Sequence, residues 1–184
     1  MKILVTYFSQ TGNTEMIAKA IHEEVLAQGH ECVQEAIRES SVDDLNQYDL
    51  IFLGAACHDS DLAKPAIKLL DEIESDSPFK LAGFATHSTN LPEGNERNKE
   101  LYERWAWKIK DSFKKVELEK EIDLFGYFGC MGKPNPGIEI FIHREIITDV
   151  EEWEEYIEGA RKHPDEDDLA NARVFAREML AKLV

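Results

Sequence analysis

The chain has 184 residues, with 37 acidic against 21 basic side chains and a formal net charge of −16. That length fits one domain with a substantial core, so a single domain over residues 1–184 is expected. The charge argues against nucleic-acid or anionic-membrane binding, which need a basic footprint, and no apolar run approaches the ~20 residues of a membrane helix.

Lys2 to Phe8 is a nearly unbroken apolar run, as a strand buried on both faces of a parallel sheet requires. It ends in Ser9-Gln10-Thr11-Gly12-Asn13-Thr14, a small, polar stretch. A helical pattern follows from about Thr14 to Ala27, with Ile17, Ala18, Ile21 and Val25 on one face and a stop at Gly29. Strand, hydroxyl-rich loop and helix in that order form an anion site. Free N–H groups at the helix start point outward, the macrodipole favours negative charge, and Gly12 permits close backbone approach.

Glu31 to Ile37 reads as a short edge strand, and Asp49 to Gly54 as a strongly apolar one. A loop from Ala55 to Ala63 is expected next, then a helix opened by Pro65 and carrying Ile67, Leu70 and Ile73. Leu81 to Thr86 is the fourth strand, ending in a polar loop from His87 to Asn98. Leu101, Trp105, Ile109 and Phe113 recur every fourth residue, predicting one long helix from about Glu100 to Lys115. Asp123 to Cys130 is the fifth strand, and about Asp167 to Lys182 the last helix. Strands alternating with helices predict a three-layer αβα sandwich around a parallel sheet.

One segment exceeds that plan. Residues 131–164 form an insertion between the fifth strand and the last helix, too long for an ordinary connection. Ile138, Ile140 and Ile142 alternate in strand fashion, and Asp149 suits the cap of an acidic helix from Val150 to Arg161. The insertion is either a flap covering the sheet end or a lid or partner surface beside a ligand.

Three cysteines without a CxxC pair argue against a disulfide framework. With Met1 leading straight into a strand, they point to a reducing cytoplasm. Cys57 and Cys130 follow apolar strand runs and read as buried packing, as does Cys32. No His, Cys and carboxylate set has metal spacing, so no metal is expected, and no catalytic residue is singled out. The first loop lacks the Gly-Lys-Ser/Thr of a Walker loop and the Gly-x-Gly-x-x-Gly of a dinucleotide fold. It also lacks the paired acids of a phosphoacceptor domain.

Ser9-x-Thr11-Gly12-x-Thr14 after an N-terminal strand resembles the phosphate loop of the flavodoxin family, which binds FMN. Phe128 to Lys133 and His163-Pro164-Asp165 are also similar to features of that family. The resemblance implies a five-stranded sheet of order 2-1-3-4-5, with ligand at the carboxyl ends beside the first and third strands. It implies that Ser9, Gln10, Thr11, Gly12, Asn13 and Thr14 hold the FMN phosphate. Ala55, Ala56, Cys57, His58 and Asp59 on one loop, and His87, Ser88, Thr89 and Asn90 on another, would then flank the ring. Flavodoxins commonly sandwich the ring between aromatic residues of those loops, and here only His58 and His87 are flat. An exposed ring is therefore expected.

Two functions follow from the resemblance. The first is an FMN-dependent electron carrier between redox proteins, with the acidic surface favouring basic partners. The second is an NAD(P)H:quinone-type oxidoreductase, which an open ring and the insertion favour. An FMN-free interaction module is a third class.

Overall fold

The structure is a computed structural model that describes residues 1–37 and 45–183. Strand β1 (Lys2–Phe8) is followed by helix α1 (Asn13–Ala27), β2 (Glu31–Ala36) and β3 (Leu50–His58). β4 (Asp61–Leu62), α2 (Lys64–Glu72) and β5 (Lys80–His87) come next, then α3 (Glu96–Trp105) and α4 (Lys108–Lys120). β6 (Leu124–Met131), α5 (Pro136–Glu145), α6 (Val150–Ala160) and α7 (Glu166–Ala181) complete the chain. The main sheet is parallel with order β2-β1-β3-β5-β6. That is the expected order, with one addition: β4 pairs antiparallel with the end of β3 as a sixth short strand.

Side chains alternate across β1 because successive residues of a strand face opposite ways. Ile3, Val5 and Tyr7 join α1 and α7 on one face, where Ile17, Ile21, Val25, Phe175 and Met179 are buried. Leu4 faces the opposite layer, which holds Ile51, Leu53, Leu81, Ile109 and Phe113. Gly54 lies beside Phe84 across β3 and β5, and a Cβ there would sit 2.1 Å from the Phe84 ring. The absence of a side chain at Gly54 lets that ring lie flat on the sheet. Among the described residues, no helix is long and apolar enough to cross a membrane.

Three local readings are corrected. The loop expected from Ala55 begins later, because β3 runs on to His58, and Asp59 and Ser60 turn the chain back into β4. Both turn residues have positive φ, 52° and 69°, the geometry of a two-residue hairpin turn.

The long helix expected over Glu100 to Lys115 is two helices broken after Trp105. The hairpin stabilises the break: the Lys108 N–H donates to the Ser60 carbonyl at 3.2 Å, and the Cys57 thiol donates to the Trp105 carbonyl at 3.4 Å. The regular apolar spacing misleads because its residues enter different cores. Leu101 packs with the insertion, whereas Ile109 and Phe113 pack under the sheet.

The alternating isoleucines of the insertion lie on helix α5, not a strand. Asn135 caps it by accepting from the Ile138 N–H at 3.0 Å, and Pro136 presets its first turn. Only Ile142 of the three is buried, and Ile140 is 67% exposed. Helix α6 starts at the expected cap, with Asp149 accepting from the Glu152 N–H at 2.9 Å. The insertion has a small core of its own, in which Met131, Ile142, Ile147, Tyr156, Ile157 and Ala160 meet Leu101 of α3.

Replacing Gly54 with Ala forces the Phe84 ring off the sheet. A loss of about 1–3 kcal/mol is expected, read as a lower urea midpoint at an unchanged m-value.

Candidate functional site

β2 and β3 lie on opposite sides of β1, so the connection after β1 runs one way and the connection after β3 the other. A crevice opens at that switch point. Here it is a pocket of about 470 Å³ bounded by the ends of β1, β3, β5 and β6 and by α3, α5 and α6.

At its first end, Gly12 takes φ 90° and caps α1 without a side chain. Its N–H donates to Ser9 Oγ at 3.1 Å, which closes the loop. The N–H groups of Asn13, Thr14 and Glu15 form the first turn of α1 and have no intrahelical acceptor. Gln10, Thr11 and Asn13 line the pocket. Thr14 does not: it is fully buried, and its hydroxyl lies 2.8 Å from the hydroxyl of Thr86 on β5. Ser9 and Thr14 thus build the loop from within. Asn13 donates through Nδ2 to the Lys133 carbonyl at 2.8 Å, which holds the segment after β6 against this loop. Lys133 lines the same end of the pocket, and its ammonium makes no ion pair among the described residues.

Ala56, Cys57, His58, Asp59 and Ser60 form a second wall. Ala55 is fully buried in the sheet behind them. His58 meets Phe8 edge-on, with ring centroids 6.2 Å apart. Burial pushes the Cys57 thiol up to about 12, so it is protonated at neutral pH and acts as a donor to the Trp105 carbonyl. Cys32 is likewise raised to about 12 by burial, and burial also raises Cys130.

Thr86, His87, Ser88 and Thr89 form a third wall. Asn90 lies outside it and donates to Asn98 Oδ1 at 3.2 Å. His87 is 3% exposed, and its Nδ1 is 2.9 Å from the Thr89 carbonyl oxygen. The Thr89 hydroxyl lies 3.0 Å from the same Nδ1, so Thr89 offers that nitrogen both an acceptor and a donor, and either neutral tautomer is satisfied there. That Nε2 is buried with no partner among the described residues. Burial lowers the His87 pKa to about 4, so the ring is neutral in neutral solution.

The fourth wall comes from α3 and from the insertion, which the sequence left open between a flap over the sheet end and a lid or partner surface beside a ligand. It comprises Leu101 and Trp105 of α3, Ile138, Phe141 and Ile142 of α5, and Tyr156 of α6. The Tyr156 hydroxyl donates to the Ser88 carbonyl at 2.6 Å, tying α6 to the third wall. Arg97 ties α3 to the insertion through Glu152 at 2.9 Å and the Ile146 carbonyl at 3.3 Å. One signal was present: Gly132-Lys133 follows directly on the fifth strand, at the same end of the sheet as the site residues after β1, β3 and β5. His163, Asp165 and Asp168 bring three ligand-type atoms within 4.8 Å. Their carboxylates accept the N–H groups that cap α7, a structural role.

The sequence profile of the flavodoxin domain family matches residues 4–177. The chain is 28% identical over 195 aligned residues to the flavodoxin-like domain-containing protein BilS of Clostridioides difficile, covering 99% of this chain and 98% of that one. It is also 28% identical to an uncharacterized protein of Methanocaldococcus jannaschii, over 98% of this chain and 99% of that one. Among solved structures it is similar to oxidised flavodoxin 2 from Bacillus cereus, with a TM-score of 0.67 and 22% identity, each chain covered to 99%. Oxidised flavodoxin 1 from the same organism gives 0.65 and 18%, with 98% of each chain covered. At those identities the two structures share the fold.

His87 is held neutral in the fold but takes up a proton near pH 6.5 when unfolded. Protons therefore favour the unfolded chain, and stability falls as pH drops from about 6.5 toward 4. In urea titrations across that window, His87→Gln is expected to lose less stability than the parent, by up to ~3 kcal/mol at the acid end.

Proposed function

The chain belongs to the flavodoxin domain family, and from that premise we propose that it binds FMN in this pocket and carries electrons between redox proteins. The observation that carries the proposal is the first end of the pocket. The start of α1, whose first N–H groups have no intrahelical acceptor, follows the left-handed Gly12 there, and Asn13 and Lys133 line the same end. A Cβ on Gly12 would meet nothing within 4 Å, so the space before the loop is open. These donors suit a phosphate dianion, because hydrogen bonds to charged groups are the strong ones. The buried, unpartnered Nε2 of His87 and the apolar fourth wall fit the remainder of a flavin nucleotide.

In this reading Thr11 and Asn13 orient the phosphate and Lys133 balances its charge. The ends of β3 and β5 border the ring, and neutral His87 offers its free Nε2 for a hydrogen bond without adding charge. Bound FMN supplies electron transfer in single or paired steps, and the protein supplies orientation and electrostatics. No side chain of the pocket is required as a nucleophile, consistent with the protonated state of Cys57.

The net charge of −16 supports partners with basic docking faces, since complementary charge raises encounter rates. Three free cysteines accord with a reducing cytoplasm. The second reading, direct NAD(P)H:quinone oxidoreduction, draws on the apolar wall, which could admit a flat organic acceptor.

Titration of the protein with FMN under visible absorbance is expected to give a saturable one-to-one complex. Lys133→Met should weaken FMN binding by about tenfold and leave riboflavin, which lacks the phosphate, unchanged. Equal affinities of parent and variant for FMN would remove the phosphate from that end. Loaded protein is expected to accept electrons from a ferredoxin-type reductase far faster than from NADH or NADPH alone. Multiple turnovers of NAD(P)H with a quinone and no other protein would establish the enzyme instead.

A further inference from the structure

A flavin bound as above needs cover for its ring, and the walls expected to supply it contain no Trp, Tyr or Phe. Ala56 to Ser60 and Thr86 to Thr89 are small or polar, with His58 and His87 as their only flat groups. The aromatic residues lining the pocket, histidines aside, are Trp105, Phe141 and Tyr156. Tyr156 is already engaged, with its hydroxyl on Ser88 and its ring in the core of the insertion. Trp105 and Phe141 remain.

Their placement follows the length of the pocket. Helix α5 begins beside the phosphate end, where Lys133 accepts from Asn13 and Asn135 caps the helix. It spans ten residues, about 15 Å. Five residues after Pro136, about 8 Å along the helix, Phe141 meets Trp105 edge-on, with centroids 5.8 Å apart at 84°. Trp105 in turn abuts the β3 wall through the Cys57 thiol on its carbonyl. One helix thus leads from the phosphate donors to the aromatic pair.

Two further observations point to an occupant. Ile138 and Phe141 line the pocket yet are 41% and 43% exposed, apolar surface that a ligand would cover. The Trp105 indole N–H is buried without an acceptor among the described residues. Such a donor is costly unless something supplies the acceptor, and an isoalloxazine edge carries both carbonyl oxygens and ring nitrogens.

We propose that Trp105 and Phe141, from α3 and α5, form the aromatic wall against which the isoalloxazine packs, in place of ring-stacking residues on the strand-end loops. The proposal rests on the FMN reading and makes the insertion part of the cofactor site. It reverses the expectation of an exposed ring. The break between α3 and α4 acquires a role as well, because it holds Trp105 at the hairpin instead of carrying the helix past it.

The test measures affinity for both FMN and riboflavin, together with the emission of the bound flavin. Direct contact with tryptophan quenches flavin emission, so the parent complex is expected to be dim. Trp105→Leu and Phe141→Ala should each weaken FMN and riboflavin by the same factor, about fivefold to tenfold for Trp105. Trp105→Leu should also raise bound-flavin emission severalfold. Trp107→Leu, outside the pocket, and Ile140→Ala, on the outer face of α5, should change neither quantity. Phe141 is exposed enough for its variant to fold if the tryptophan variant does not, and circular dichroism checks both. Parent-like affinity and emission in Trp105→Leu and Phe141→Ala would overturn the wall and leave FMN binding intact. A parent protein that binds neither flavin overturns the functional reading, and the wall with it.

Discussion

The structure depends on the parallel pairing of β1 with a neighbour on each side. β2 is reached through α1 on one side and β3 lies on the other, so the connections after β1 and β3 run to opposite sides and leave a crevice at their carboxyl ends. Backbone donors at the start of α1 face that gap because the first turn of any helix leaves them unused. The pairing requires β1 to be apolar on both faces, and Ile3, Leu4 and Val5 are each at most 1% exposed. The buried bond between the Thr14 and Thr86 hydroxyls then registers the start of α1 against β5. A residue that reads as a ligand donor in a linear motif serves instead to aim the donors beside it.

The opposite boundary of the pocket is assembled by contacts distant in sequence. The β3–β4 hairpin bonds to the α3–α4 junction, Arg97 joins α3 to the insertion, and Tyr156 joins the insertion to Ser88. Each contact satisfies a backbone carbonyl, a backbone N–H or a paired charge at the edge of the pocket. The insertion packs around its own small core, so it stands as a wall and not as a loose loop. Its exposed ion pairs, such as Lys162 with Glu158 at 3.1 Å, add little, because such pairs are worth at most ~1 kcal/mol.

Electrostatics divide the pocket in the same way. Positive potential gathers at the first end from helix-start N–H groups and Lys133, while burial keeps the groups farther along neutral. Cys57 stays a thiol and His87 an imidazole for the same reason, since a charge there would lose its water without gaining a partner.

Much of this was legible in the chain itself. The apolar run Lys2–Phe8, the helix start after Gly12, the buried β3 and β5, and Asp149 at the head of α6 are set by neighbours within a few residues, where periodicity and capping act. The loop Gln10–Asn13 and the strand ends at Cys57 and His87 could be placed at one end of the sheet for that reason. Sequence alone could not decide which threonine faces the pocket, where the helix after Asn95 breaks, or what covers the far end. Thr14, Trp105, Lys133 and Phe141 take their roles from partners tens of residues away. A repeating apolar pattern specifies which face of an element is buried, but only the assembled tertiary structure specifies what it is buried against.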